Sequence, residues 1–198
     1  MKPKLTFRKI FGHLHTILTH KKWVLYYCYL CGITWRGIKH DMSKFSPTEF
    51  FESARYWTGT TSPITEAKKI NGFSRAWLHH RGRNTHHWAH WTDNYSEGTI
   101  TYVMPLKDFT EMVCDFLAAG RAYSKEKFTY KDEYKWWLKD KELGNKAMNI
   151  KNKNMLDIIF SDLAAAEEYS YSRNHRDYLT PTELLKTNYI EEVYRANL

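Results

Sequence analysis

Pro47, Pro63, Pro105 and Pro181 divide the chain into segments, and each stands where a helix would begin. Three of them follow a Ser or Thr, and Pro105 follows Met104. Proline suits the first helical position because its missing N–H would find no intrahelical acceptor there. Ser46-Pro47-Thr48-Glu49 and Thr180-Pro181-Thr182-Glu183 have the full capping-box pattern, with Glu at the third helical position. Between the prolines, apolar residues recur at spacings of three and four. Ile10, Leu14, Ile17, Leu18, Val24, Leu25 and Cys28 form one stripe, and Leu106, Phe109, Met112, Val113, Phe116 and Leu117 a second. Met155, Ile158, Ile159, Leu163 and Ala166 form a third. Residues 132–144 read as a short helix closed by Gly144, and only Thr99–Val103 has an extended pattern. The pattern predicts an all-α, single-domain protein of about seven or eight helices over residues 1–198, with no repeat and no linker.

With 198 residues, 42% hydrophobic and 16% aromatic, the chain has enough apolar surface for a real core, which excludes disorder over most of its length. No apolar run nears the roughly 18 residues of a membrane span, so no membrane partner is expected. The N-terminus is basic, but His13, His15 and the lack of a small-residue cleavage site speak against a signal peptide. Three cysteines give no disulfide framework and fit a reducing compartment, so the cytoplasm is the expected location. Cys28 and Cys31 form a CxxC, but within a Tyr-rich apolar helix pattern, and they read as packing residues. The net charge of +8 favours anionic partners such as nucleotides or nucleic acid.

Five of the ten histidines lie in the twelve residues from His79 to His90, beyond any need of a solvated helix face. His40-Asp41 is a polar doublet whose meaning depends on partners from other segments. His20 lies at the edge of the first apolar stripe, where it serves either packing or ligation. "WLHHRGRNTHHW" carries two His pairs, with Gly82 and Asn84 breaking the helix between them. Asp115 stands among Val113, Phe116 and Leu117, where a carboxylate is costly unless a cation meets it; Arg121 would be its ion-pair partner in a structural reading. Imidazole and carboxylate together suit Mn²⁺, Fe²⁺, Co²⁺, Ni²⁺ or Zn²⁺. Of the pairs, His80 and His87 are expected to point inward, with His90 in reserve. His13 and His15 are expected at the surface or behind the ligands, and His175 in a loop.

In this order the residues resemble the metal-dependent phosphohydrolases of the HD-domain superfamily. "HDMSK" is similar to the His-Asp-x-Gly-Lys of the cyclic-dinucleotide phosphodiesterase branch, with Ser43 in place of Gly. "LHHRGRNTHHW" resembles that branch's His-His-Glu stretch, with Arg81 where the Glu would stand. "CDFLAAGRAY" is similar to its Asp-x-x-x-Ala…Arg-x-Tyr segment through Asp115, Ala119, Arg121 and Tyr123. A small bacterial and phage family of unassigned activity resembles it too. The likeness covers residues 13–124 as an HD-like metal-binding core and leaves 125–198 as C-terminal helices, a lid, specificity element or dimer surface. It lacks the branch's Gly-Tyr-Pro. The resemblance implies an HD-like helical bundle and one or two divalent transition-metal ions. His20, His40, Asp41 and Asp115 would hold one ion, and Asp41 would bridge to a second completed by His80 and His87. Asp41, Lys44 and Glu111 would serve the chemistry, with Glu111 orienting a ligating histidine or water. Lys44, Arg81 and Arg83 would hold substrate phosphate.

The leading expectation is therefore a metal-dependent hydrolase of a phosphoester, with a nucleotide as the anionic small-molecule substrate. A dinuclear-iron oxygenase of the same fold would use a similar ligand series. A basic, aromatic nucleic-acid-binding module without metal is the reading from a third class. A homodimer is compatible with all three.

Overall fold

The computed structural model describes residues 2–171 and 178–198, so His175 lies outside the described residues. Residues 13, 17, 20, 24, 27 and 28 are buried along α1 (Phe7–Leu30), a stripe spaced by threes and fours over most of the helix. His13 and His20 thus sit inside the stripe rather than at its edge. Leu18 and Leu25, read as stripe members, face outward. The chain continues through α2 (Thr34–Lys39), α3 (Pro47–Tyr56), α4 (Pro63–Asn71) and α5 (Arg75–Arg83). After the hairpin β1 (Thr92–Tyr95) and β2 (Gly98–Thr101) come α6 (Leu106–Ser124), α7 (Tyr130–Asp140), α8 (Ile150–Ser170), α9 (Pro181–Lys186) and α10 (Tyr189–Ala196). The protein is all-α apart from this hairpin. Ten helices are present among the described residues, against the seven or eight expected, because six-residue elements such as α2 and α9 are too short to show a period.

Pro47, Pro63 and Pro181 each occupy the first turn of a helix, while Pro105 stands one residue before α6 as its N-cap. The Thr180 capping box closes fully: Thr180 Oγ1 accepts from the Glu183 N–H, and the Glu183 carboxylate accepts from the Thr180 N–H at 2.8 Å. The Ser46 box is half made. Ser46 Oγ accepts from the Glu49 N–H at 3.4 Å, but the Glu49 carboxylate goes elsewhere. The extended stretch expected at Thr99–Val103 is β2, ending two residues earlier and paired with β1. α7 ends at Asp140 rather than running to Gly144. The Asp140 carbonyl accepts from the Leu143 and Asn145 N–H groups and its carboxylate from Asn145 Nδ2, so the chain turns there.

α6 runs through the interior, packing on α1 and α10, and one core cluster joins Val24 and Cys28 of α1, Phe109 and Leu117 of α6, Trp137 of α7 and Phe160 of α8. Each such fully buried side chain contributes about 1.5–3 kcal/mol. The helices after residue 124 therefore share this core. α2 returns against α1 closely enough that a Cβ at Gly37 would lie 2.7 Å from Cys28 Cβ and 3.1 Å from Leu25 Cα. That close approach brings His40 and Asp41 to the face of α1 that bears His20. Cys28, Cys31 and Cys114 are free thiols, with Cys114 Sγ 3.8 Å from Cys31 Sγ, and none joins a set of metal-ligating atoms among the described residues. Among those residues no helix is long and apolar enough to cross a membrane.

Candidate metal centre

α2 stops at Lys39, and Asp41 takes the left-handed conformation (φ 55°) before a single 3₁₀ turn at Met42–Phe45. Such a backbone is uncommon outside glycine, and Asp tolerates it better than most residues. Lys21 Nζ fixes this corner by donating to the carbonyl oxygens of Ile38 and His40. The corner aims both side chains inward: His40 is 2% exposed and Asp41 1%.

Two sets of donor atoms meet at Asp41. Asp41 Oδ2 lies 3.2 Å from His40 Nε2 and 3.9 Å from His20 Nε2, and Asp115 Oδ1 lies 3.4 and 2.9 Å from the same two nitrogens. Asp41 Oδ1 lies 3.2 Å from His80 Nε2 and 3.4 Å from His86 Nε2, and His87 completes this second set. Asp41 is thus common to both sets and offers one oxygen to each. Two donors bound at about 2.1 Å to one ion are about 3.0 Å apart at right angles and about 3.4 Å apart in a tetrahedron. The separations here, 2.9–3.9 Å, fall around these values.

The donor set fits a metal ion on a second ground. His20 Nε2, His40 Nε2, His86 Nε2, His87 Nε2 and Asp41 Oδ1 are buried without a hydrogen bond, although their neighbours are polar, while Asp41 Oδ2 meets the Lys44 ammonium. Buried polar atoms are ordinarily paired. Here they converge on one another closely enough for a shared cation.

The opposite ring nitrogens are held. Glu111 Oε1 accepts from His40 Nδ1 at 2.9 Å and lies 3.3 Å from His86 Nδ1. Glu49 accepts from His80 Nδ1 at 2.7 Å and from His79 Nδ1 at 2.5 Å. A carboxylate that takes the Nδ1 proton leaves the Nε2 lone pair facing the centre, the arrangement that orients a metal-ligating histidine. Arg36 Nε anchors Glu111 at 2.6 Å, and its terminal nitrogen meets Asp108.

The charges are unbalanced. Asp41, Glu49, Asp108, Glu111 and Asp115 face three permanent cations, Lys44, Arg36 and Lys21, leaving two negative charges for imidazolium groups or metal ions to meet. Burial would raise the pKa of Asp41, but His40, Lys44 and His80 outweigh it and hold it well below the carboxylate range. Burial likewise opposes a charged His40, yet Asp41, Asp115 and Glu111 lift its pKa well above the usual imidazole value. His87, desolvated and beside His86 and His80, is held well below it and stays neutral, as a ligand must be.

The centre forms the partition between two cavities. A cavity of about 660 Å³ is lined by His20, Lys44, His80, His87 and Asp115, together with Trp77, Phe116, Tyr123, Glu133 and Trp136. A smaller one of about 330 Å³ touches the other side of the cluster through His40, Asp41, His86 and Glu111, with Arg36, Lys39 and Arg83 around it. Lys44 Nζ lies 2.5 Å from Asp41 Oδ2.

Of the residues singled out in the sequence, His20, His40, Asp41, His80, His87 and Asp115 come together here, with Glu111 behind them and Lys44 at the cavity. Arg83 lines the smaller cavity, whereas Arg81 lines neither; its carbonyl accepts from His90 Nδ1. Arg121 does not pair with Asp115. Its Nε donates to Tyr27 Oη at 2.7 Å, and its guanidinium lies over Trp23 and Phe128. His13 is buried and lines the large cavity, while His15 and His90 are exposed. Glu49, His86 and Arg36 were not singled out. Glu49 was disguised as a cap, and His86 as the outward member of its pair.

The fold and site define an all-α protein built around a buried histidine–carboxylate centre whose groupings could hold a metal ion. The chain belongs to a family of unknown function, DUF5662, whose pattern matches residues 9–162 and so includes the whole centre. No curated protein and no solved structure matches it.

Proposed function

We propose that this protein is a metal-dependent phosphohydrolase that cleaves a phosphoester of an anionic substrate of the nucleotide class. The observation that carries the reading is Asp41, a buried carboxylate offering one oxygen to each of two donor sets, whose His20, His80, His87 and Asp115 line a large aromatic cavity. The likeness of His20, His40-Asp41, the histidine pairs and Asp115 to the HD-domain series supports the same conclusion. Bound there, divalent ions would lower the pKa of water and offset charge on a phosphoryl group.

The chain's own groups fit this task. Glu111 and Glu49 hold the Nδ1 protons of His40, His86 and His80, so the Nε2 atoms need no reorientation. Lys44 brings a partly exposed ammonium to the large cavity, where a phosphoryl oxygen would meet it as a point charge. A volume of about 660 Å³ suits a nucleotide-sized ligand; the smaller cavity with Arg36, Lys39 and Arg83 suits water or a released anion.

The test is phosphate release from a panel of nucleoside mono-, di- and cyclic phosphates, with Mn²⁺, Co²⁺, Ni²⁺, Fe²⁺ or Zn²⁺ added to untagged protein. Release that requires an ion and vanishes in Asp41→Asn is the expected result. Oxygen uptake with iron and no phosphate release would replace the reading by an oxygenase. Tight, salt-sensitive nucleic-acid binding without any metal requirement would replace it by a binding module.

A further inference from the structure

The wall of the large cavity across from the centre comes from α7 and from the last turns of α6, and it holds a group that the hydrolysis does not use. Glu133 is 7% exposed, and its carboxyl has no hydrogen-bond or ion-pair partner among the described residues. It lines the cavity beside Gly120. A Cβ at position 120 would overlap Glu133 Oε2 and come within 2.8 Å of Phe128, so glycine there is what gives the carboxyl its place. Burial alone pushes the Glu133 pKa up to about 8. At neutral pH the group is therefore mostly a carboxylic acid, an O–H donor beside a C=O acceptor.

The rings around it point to the kind of ligand. Trp136 and Tyr123 line the cavity yet keep 43% and 45% of their surface exposed, and Phe116 and Phe128 line it with them. Flat aromatic faces left open in a concave site suit a flat ring ligand. Gly120 lies five residues beyond Asp115 on α6, a rise of roughly 7.5 Å along the helix.

We propose that this end of the cavity is the base subsite for a nucleoside phosphate, with the Glu133 side chain reading a donor–acceptor edge of the base among the surrounding aromatic rings. The assignment rests on the nucleotide reading above and names its specificity-determining residue. An amide reproduces the donor and acceptor of a carboxylic acid, whereas alanine supplies neither.

The experiment is isothermal titration of adenosine, guanosine, cytidine and uridine, which carry no phosphoester, into untagged wild type, Glu133→Gln, Glu133→Ala and Gly120→Ala. The expected result is binding of at least one nucleoside to wild type, retained within about threefold by Glu133→Gln and weakened at least about tenfold by Glu133→Ala. Gly120→Ala displaces the carboxyl without removing it and is expected to weaken binding similarly, which keeps the test decisive if Glu133→Ala does not fold. Binding unchanged in Glu133→Ala or Gly120→Ala would overturn the assignment. A loss in Glu133→Gln equal to that in Glu133→Ala would also overturn it, pointing to an ionised carboxylate that meets two donors or a cation. Nucleotide hydrolysis without any nucleoside binding would remove the base subsite and leave the hydrolase standing. Nucleoside binding without phosphate release from any nucleotide would do the reverse.

Discussion

At the metal centre, the buried Asp41 and the half-buried Asp115 lie among imidazoles and Lys44 and are held ionised, far below their ordinary pKa. On α7, Glu133 is buried with no partner among the described residues, and burial pushes its pKa up to about 8. Both walls face the same difficulty, a carboxyl removed from water, and meet it with different cations: imidazolium, ammonium or metal on one side, a bare proton on the other. The paired wall gathers Nε2 of His20, His40, His86 and His87 and Oδ1 of Asp41 without hydrogen bonds, a set of atoms that could hold an ion. The α7 wall is complete when protonated.

The contrast fails first under chelation if it is wrong. At a free-ion concentration of 100 Kd each bound ion adds about 2.7 kcal/mol to stability. Removing the ions should therefore lower Tm by roughly 5–10 °C per ion in a chain of this size. Thermal denaturation with and without chelator reads this directly; an unmoved Tm would mean that protons alone balance both walls.

The next effect concerns Glu133. The unfolded chain releases this proton near pH 4.5 and the native protein near pH 8, so between those values the native state binds more protons and its stability falls as pH rises. The slope for this one group is at most about 1.4 kcal/mol per pH unit. Glu133→Gln lacks it, so the variant should gain on wild type by up to about 4 kcal/mol from pH 5 to pH 8. Denaturant melts at the two pH values measure the gain, and parallel profiles would show that Glu133 is already ionised.

Smaller still is the loss expected for the residues behind the ligands. Glu111→Gln should weaken metal binding about 10–100-fold, and Glu49→Gln toward the lower end of that range. The ordering follows from their partners, since Glu111 holds His40 and His86 across both donor sets, while among the ligands Glu49 holds only His80. Competition titration with a chromophoric chelator would rank them, and equal affinities for wild type and both variants would reduce these carboxylates to packing. Smallest of all, Arg81→Ala should leave KM for the cleaved phosphoester within about twofold, because Arg81 lines neither cavity.

The physical route by which each residue reaches the site explains how far the sequence reveals it. His20 and Asp115 are visible because they interrupt apolar stripes, where a polar group has to be explained. His40-Asp41 is visible only through them, since nothing local tells a helix-end doublet from a ligand pair; the left-handed turn at Asp41 that aims it leaves no signature in an Asp. His86 and His87 follow the end of α5 at Asn84, and in irregular chain no period says which of two neighbours faces inward. Both do. Glu49 occupies a capping-box position whose local pattern is satisfied equally well by a cap or by two histidines 30 and 31 residues away. Glu133 sits in a helix dense with charge, where one buried carboxyl looks like its solvated neighbours. The long helices were legible from periodicity, while α2 and α9 were shorter than a period can reveal.

The central claim, that Asp41 joins two metal-binding donor sets, is tested most directly by metal content. Untagged wild-type protein and Asp41→Ala, purified without chelator and then offered each transition ion, would be analysed by mass spectrometry. The account predicts one to two ions per chain in wild type and none retained in the variant, with both proteins folded. Wild type that holds no ion after every addition, or a variant that holds as many as wild type, would contradict it.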